Sequence, residues 1–289
     1  MYKIVMLGVE NSHANNFLSL IAAGKYPDVE VIGVYSDEEP AVRALNEKYG
    51  VKILPSYDEA VGQVDGVVIT ARHGDNHYKY AKPYLASGVP MFIDKPITCS
   101  GKEAVEFMRE AKANGVRLCG GSVCGTLPQA VELAKIVREE AVGEVTGGHL
   151  VCPLAMDSVY GGFYFYAQHL VQIMTTVFGP DVKNVCASRK GGELTLLAQY
   201  DTYDVTGNYT AMQNYYYHVT AFGRKGAESR LLTFSAESFV SEMDDILALL
   251  RGEPMKQSYD EFIRPVFIMN ALMRSVETGT WAAVDAVEV

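Results

Sequence analysis

The sequence lacks most of the features that would take it out of the ordinary folded class. No cluster of lysines or arginines interrupts a chain with 25 basic and 35 acidic side chains and a formal net charge of −10. The footprint of a phosphate-backbone binder is missing, and nucleic acid is not an expected partner. No apolar run reaches the length of a membrane-spanning helix, so no membrane partner is expected. The stretch Ile4 to Leu7 behind Met1 is too short for the core of a secretory leader, and a cytoplasmic location is expected. The five cysteines (Cys99, Cys119, Cys124, Cys152, Cys186) are odd in number and not at metal-ligand spacing, which reads as reduced core thiols. There is no internal repeat, low-complexity tract or proline-rich linker.

What is present is a length of 289 residues with 48% hydrophobic content, enough for two cores. Up to about residue 120, short apolar runs alternate with amphipathic stretches. KIVMLGV is followed by 14–24, VEVIGVY by 39–48, GVVITA by 77–87 and PMFID by 101–113, with VRLCGG closing the series. Strands this apolar are buried on both faces, which requires helices on each side of a parallel sheet. Right-handed crossovers then make a doubly wound, Rossmann-type α/β domain over residues 1–121 the simplest topology.

After Gly121 the pattern changes. A helix is expected at about 127–141 with Leu127, Val131, Ala134 and Ile136 inward, then the strand GEVTGGHLV and a helix at about 166–178. Strands follow at about 181–189, 193–200, 204–211, 215–222 and 228–233, joined by turns such as Lys190-Gly191-Gly192, the pattern of an antiparallel meander. Residues 122–289 therefore read as an α+β domain with a large, open, mostly antiparallel sheet. Alternating aromatics, Tyr209, Tyr215 and Tyr217, suggest that a second copy covers the open face, so a homo-oligomer is expected. A last helix at about 259–277 should pack at the domain junction.

Three segments together resemble the Gfo/Idh/MocA family of oxidoreductases. GVVITARHGDNHYKYAKPYLASGVPMFIDKPI is similar to that family's fourth strand, His-bearing helix start and Glu-Lys-Pro loop, with Asp94 for Glu. VGEVTGGHLV resembles its entry into the large sheet, and YAQHLVQIMTTVFG its His-bearing helix that ends in Gly. The resemblance covers nearly the whole chain. It implies two domains and an NAD(P)-dependent enzyme acting on a hydroxyl/carbonyl pair of a sugar, polyol or related small molecule. It also implies that Lys95 and His169 face the nicotinamide. Hydride transfer needs a proton acceptor and donors to the reacting oxygen, which these two residues could supply. The apolar run MFI should hold Lys95 at the cleft floor, where partial desolvation lowers a lysine pKa.

The departures are equally specific. The family commonly has an Asp one turn before the helix His, and this chain has Phe165; Tyr164, Tyr166 and Asp157 are the nearby candidates for substrate contact. The phosphate loop should read Gly-x-Gly-x-x-Gly but reads Gly8-Val9-Glu10-Asn11-Ser12-His13. Glu10 would repel a pyrophosphate unless it turns away, by about 1 to 4 kcal/mol at about 4 Å. Gly8, Asn11, Ser12, His13, Thr70, His77, Asp94 and Lys95 are expected along the cofactor track, with Asn11 and Ser12 also able to cap the next helix. After the second strand, Ser36-Asp37-Glu38-Glu39 has acids and no arginine, which favours the ribose hydroxyl of NAD over the phosphate of NADP. A solvated acidic helix start explains the same residues. His73, Asp75 and His77, with Glu10 and His13 nearby, offer metal-ligand types, but no metal site is expected. Two alternatives to redox turnover stay open: a binding or regulatory subunit, and non-redox lyase or hydrolase chemistry.

Overall fold

The computed structural model describes residues 1–289, apart from the side chain of Ala236. The first half forms β1 (Tyr2–Leu7), α1 (Ser12–Ala22), β2 (Val29–Tyr35), α2 (Glu39–Tyr49), β3 (Gly66–Ile69), α3 (Asp75–Leu85), β4 (Met91–Asp94), α4 (Gly101–Ala113) and β5 (Leu118–Gly121). All pairings in this sheet are parallel, in the order β2-β1-β3-β4-β5. The reversal of winding falls between β1 and β3, where ligands bind in sheets of this kind, outside the carboxyl ends of the strands. Gly8 has φ +70°, and a Cβ there would lie within 2.6 Å of Ala71 backbone and side-chain atoms. Only glycine lets the end of β1 approach the residues after β3 this closely.

The second half forms α5 (Pro128–Arg138), β6 (Val145–Leu154), α6 (Tyr164–Phe178), β7 (Asn184–Lys190), β8 (Glu193–Gln199), β9 (Asp204–Ala211), β10 (Tyr217–Gly223), β11 (Gly226–Leu232), α7 (Val240–Leu250), α8 (Tyr259–Thr278) and β12 (Ala282–Ala283). Its sheet has the order β11-β10-β6-β9-β8-β7-β12. The expected uninterrupted meander is corrected here: β6 inserts between β9 and β10 and pairs with β9 in parallel. Its inward residues Leu150, Cys152 and Leu154 are buried, and the middle of the sheet is the place where such a strand finds a partner on both edges.

The alternating aromatics do not line one open sheet face as expected. Tyr209 and Tyr217 are buried within the chain, 1% and 2% exposed, and only Tyr215 is open. Tyr209 donates its hydroxyl to Ala167 O at 2.6 Å, so this side chain is anchored to α6 rather than presented to solvent. Val131 is likewise exposed rather than inward, because α5 turns Leu133 and Ala134 to the core instead. Of the cysteines, Cys124 and Cys152 are buried while Cys99, Cys119 and Cys186 are half-buried; all five are free.

The division at residue 121 follows the two sheets, but α7 crosses it. Met243 and Ile246 join Ile4, Met6, Phe17, Val34 and Phe92 in one cluster, so α7 completes the covering of one face of the parallel sheet beside α1 and α2. The other face, under α3 and α4, merges into a single core with α5, α6, α8 and the large sheet. The helix α8 does pack at the junction: Asn270 Oδ1 accepts the Gly101 amide at 2.9 Å, and its Nδ2 donates to Cys99 O and Tyr164 Oη, both at 3.0 Å. No helix is long and apolar enough to cross a membrane among the described residues.

Asn270 therefore ties the segment after Lys95 to both α6 and α8. Asn270→Ala leaves three half-buried polar partners without it and is expected to cost about 1–3 kcal/mol of unfolding free energy, measured by urea denaturation.

Candidate active site

The site is built around a fully buried carboxylate. Asp94 ends β4, and its Oδ1 accepts the Lys95 amide at 2.7 Å. Its Oδ2 accepts Asn11 Nδ2 at 2.7 Å and faces His13 Nδ1 at 3.3 Å. Asn11 is the N-cap of α1; its Oδ1 accepts the His13 amide at 2.7 Å, and its Nδ2 also donates to Thr70 O. One side chain thus joins the ends of β1, β3 and β4. Lys95 follows at once, with a cis bond to Pro96, and only 6% of the lysine is exposed.

Lys95 and His169 open onto the same cavity, of about 590 Å³, together with Ser12, His13, Arg72 and Tyr166. Another cavity, of about 490 Å³, touches Ser122 but neither Lys95 nor His169. The ammonium of Lys95 has no hydrogen bond or ion pair among the described residues and lies 4.8 Å from the ring centre of Phe165 and 5.9 Å from that of Tyr166. Phe165, standing where a carboxylate is common in the family, offers its π face to the cation instead.

His169 comes from α6 and is 5% exposed. Its Nδ1 lies 2.6 Å from Ser122 Oγ and 3.3 Å from Cys124 Sγ. Ser122 Oγ already accepts the Cys124 amide, so its proton is assigned to His169 Nδ1, leaving His169 Nε2 as a donor toward the cavity. Burial first, then the charges of Lys95 and His13, holds this imidazole well below its ordinary pKa and therefore neutral near pH 7. Tyr166 packs edge-on against His169 at 4.9 Å, and burial followed by its contact with Tyr215 pushes the phenol up, so it is a poor source of a phenolate.

The other expected site residues separate into two groups. Ser12 and His13 line the cavity with Lys95 and Tyr166. Tyr164 does not line it and is spent on Asn270, while Asp157 is exposed and sits 3.6 Å from Arg189. Expectation for His77 is corrected: it is fully buried, with Nε2 2.9 Å from Ala71 O and Nδ1 3.2 Å from Ile97 O, so it pins two loops and has no free edge for a cofactor. Thr70 is equally enclosed and donates its hydroxyl to Gly8 O at 3.0 Å. Among the metal-ligand types, His77 is turned away, and the donor atoms that converge are those of His73, Asp75 and Cys99, within 4.8 Å of one another.

The track a dinucleotide would follow is open at one end and filled at its middle. Glu10 Oε2 accepts Ser36 Oγ at 2.6 Å, and Oε1 accepts the Arg72 amide at 2.9 Å. This carboxylate thereby bridges the ends of β2 and β3, where a pyrophosphate would cross. Beyond it, Asp37 is held below the usual carboxylate range by the Tyr35 hydroxyl, with Tyr80 and Lys79 adding to the effect. Tyr160 reaches over from the second half, donating to Glu38 Oε1 at 3.1 Å and accepting from Arg72 at 2.8 Å. Lys95 and His169 leave room for a dinucleotide's nicotinamide end, Asp37 stands after β2 with its oxygens held by Tyr35, Tyr80 and Lys79, and at the crossing a dinucleotide fits only with Glu10 turned away.

Sequence reasoning missed Glu242, Ser122 and Arg72. Glu242 lies on α7, and its Oε2 is 3.4 Å from His13 Nε2, both atoms buried without another partner. Nothing in the local pattern links residues so far apart in the chain. Arg72 was legible only as the residue after an apolar strand.

Residues 2–122 match the model of the GFO/IDH/MocA oxidoreductase family, NAD-binding Rossmann fold. The N-terminal domain belongs to this family. Solved structures of the same overall fold include a myo-inositol dehydrogenase from Corynebacterium glutamicum, 16% identical, TM-score 0.81, covering 99% of this chain and 100% of that one. An NAD binding oxidoreductase from Klebsiella pneumoniae is 14% identical, with TM-score 0.82 over 99% and 100% of the two chains. A scyllo-inositol dehydrogenase from Lactobacillus casei, with bound NAD(H) and scyllo-inositol, is 16% identical, with TM-score 0.84 over 98% and 99%. At these identities the likeness is one of fold. No curated protein matches the sequence.

His13 offers a pH test of this geometry. Burial pulls its pKa down, but the carboxylates of Asp94 and Glu242 outweigh burial and leave it raised. A raised folded pKa stabilises below the unfolded value of about 6.5, and the benefit fades as pH climbs through the folded value. His13→Gln is therefore expected to lose stability most below that pH, with the gap to the parent closing on the alkaline side in a pH series of urea denaturations.

Proposed function

We propose that this chain is an NAD-dependent oxidoreductase that interconverts a hydroxyl and a carbonyl group of a sugar, polyol or related hydroxy compound. The observation that carries this reading is the pairing of Lys95 and His169 on one cavity at the carboxyl edge of a parallel sheet. Family membership of the N-terminal domain and a shared fold with dehydrogenases of inositols support it. The acids Asp37 and Glu38, with no arginine beside them in sequence, favour NAD over NADP.

When bound, the nicotinamide accepts or supplies the hydride. The chain's own groups handle the oxygen. As a carbonyl is reduced, charge grows on its oxygen; the Lys95 ammonium and the Nε2–H of neutral His169 donate to it, and Lys95 passes on its proton to give the alcohol. Oxidation runs through the same atoms in reverse, with neutral Lys95 receiving the hydroxyl proton. Phe165 and Tyr166 flank the ammonium with their rings. Self-association through the large sheet belongs to the same reading: its outer side carries the exposed Phe222 and Leu231.

A second reading, a binding or regulatory subunit without turnover, is favoured by the hydrogen bonds that hold Glu10 across the dinucleotide track. Two measurements separate them. Reduced-nicotinamide absorbance on a sugar and polyol panel should change with the parent protein and fall by about 10²–10⁴-fold in Lys95→Ala; no absorbance change with any panel member would overturn the enzyme reading. Calorimetric titration of NADH should show Glu10→Gly binding about tenfold or more tightly than the parent, and equal affinities would show that Glu10 does not control entry.

A further inference from the structure

The cavity carries a charge opposite to that of the molecule around it. The chain has a net charge of −10, yet among the described residues lining the cavity there is no aspartate or glutamate. What faces the space is the ammonium of Lys95, the guanidinium of Arg72, two imidazoles, and the first turn of the eleven-residue helix α1, where backbone amides favour an anion. Lys95 is more than nine-tenths buried, and its ammonium is unpartnered. A buried cation without an anion or full hydration is costly, and the deficit is removed by an acceptor arriving from outside.

Arg72 is the second half of the observation. It is half-buried and has no carboxylate within ion-pair distance among the described residues. Among the described residues its guanidinium hydrogen-bonds only to Tyr160 Oη, at 2.8 Å, and lies 5.0 Å from that ring's centre. Of the nearby acids, Asp94 is taken by Asn11 and the Lys95 amide, Glu10 by Ser36 and the Arg72 amide, and Glu242 faces His13, while the exposed Glu38 accepts the Tyr160 hydroxyl. Glu10 holds the Arg72 amide on the cofactor side, while the Arg72 side chain lines the cavity with Lys95 and His169.

We propose that the substrate is an anionic hydroxy compound, a small carbohydrate-like molecule bearing a carboxylate or a phosphate. Its oxyanion pairs with the Arg72 fork beside Tyr160, and its reacting hydroxyl or carbonyl lies at Lys95 and His169. Phe165, Tyr215 and Tyr217 give apolar faces to the carbon skeleton. The assignment rests on the reading of this cavity as the substrate site and adds the charge that its occupant must carry.

The test is calorimetric titration of the full chain, with and without NADH, against matched triplets: glucose, galactose and mannose, their uronates and their 6-phosphates. At least one charged member is expected to bind about tenfold or more tightly than its neutral parent, with the advantage shrinking as KCl is raised. The tighter of uronate and phosphate identifies the oxyanion. Arg72→Gln should abolish most of the advantage and Arg72→Lys retain much of it, with thermal unfolding confirming that both variants fold. Neutral parents binding as well as their charged partners, or no charged member binding, overturns the proposal. Turnover is read separately by nicotinamide absorbance. Charge-selective binding without an absorbance change supports the anion site and counts against the oxidoreductase reading; turnover of neutral polyols without charge preference does the reverse.

Discussion

A single carboxylate, Asp94, sets the positions of the groups around the candidate site. It has left water entirely, and a carboxylate in that state must find donors for its oxygens or give up its charge. It finds them in the Lys95 amide and the Asn11 side chain, and it lies close to His13. Asn11 in turn caps α1 and holds the end of β3 through Thr70 O. The direction in which Lys95 leaves the sheet, the start of α1 and the spacing of three strand ends are thus consequences of satisfying one buried charge. Lys95 is neutralised by none of this; its ammonium is left against aromatic rings, facing the cavity.

The placement of α7 is what closes this arrangement from behind. It brings Glu242 to His13 and Met243 and Ile246 to the sheet, so the first domain is finished by a helix from the far end of the chain. Burial keeps the Glu242 carboxyl above its usual range, and His13 softens that effect. The site is therefore a joint product of both halves: the Rossmann strands supply Lys95 and Asp94, α6 supplies His169, and α7 supplies the carboxylate under His13.

The parallel half was legible because strands buried on both faces leave uninterrupted apolar runs, and each helix between them carries its own periodicity. The Asp94-Lys95-Pro96 segment and His169 were legible through motif order. The strand β6 was also found, but not its neighbours, since pairing in the middle of a sheet depends on edges that are distant in sequence. Direction of side chains failed for the same reason: Tyr209 and Tyr217 alternate as a covered outer face would, yet point to α6. His77 was read as a cofactor contact although both its nitrogens are consumed by carbonyls, a fact that only the meeting of two loops reveals. Helix α7 carries its own punctuation, a Ser235 cap ahead of it and Gly252 and Pro254 behind it, but nothing local tells that it packs on the first sheet and brings Glu242 to His13.

Gly8 bears on how such sequences are compared. Its place next to Ala71 is required by the closeness of two backbones, whether or not a nucleotide is ever present. Position 8 therefore has an architectural reason to be glycine that is independent of any ligand, whereas the second and third positions of the fingerprint are occupied here by Glu10 and His13. The first glycine of the fingerprint is then a marker of strand packing, and the two later positions are the ones whose side chains bear on what can lie across the strand ends.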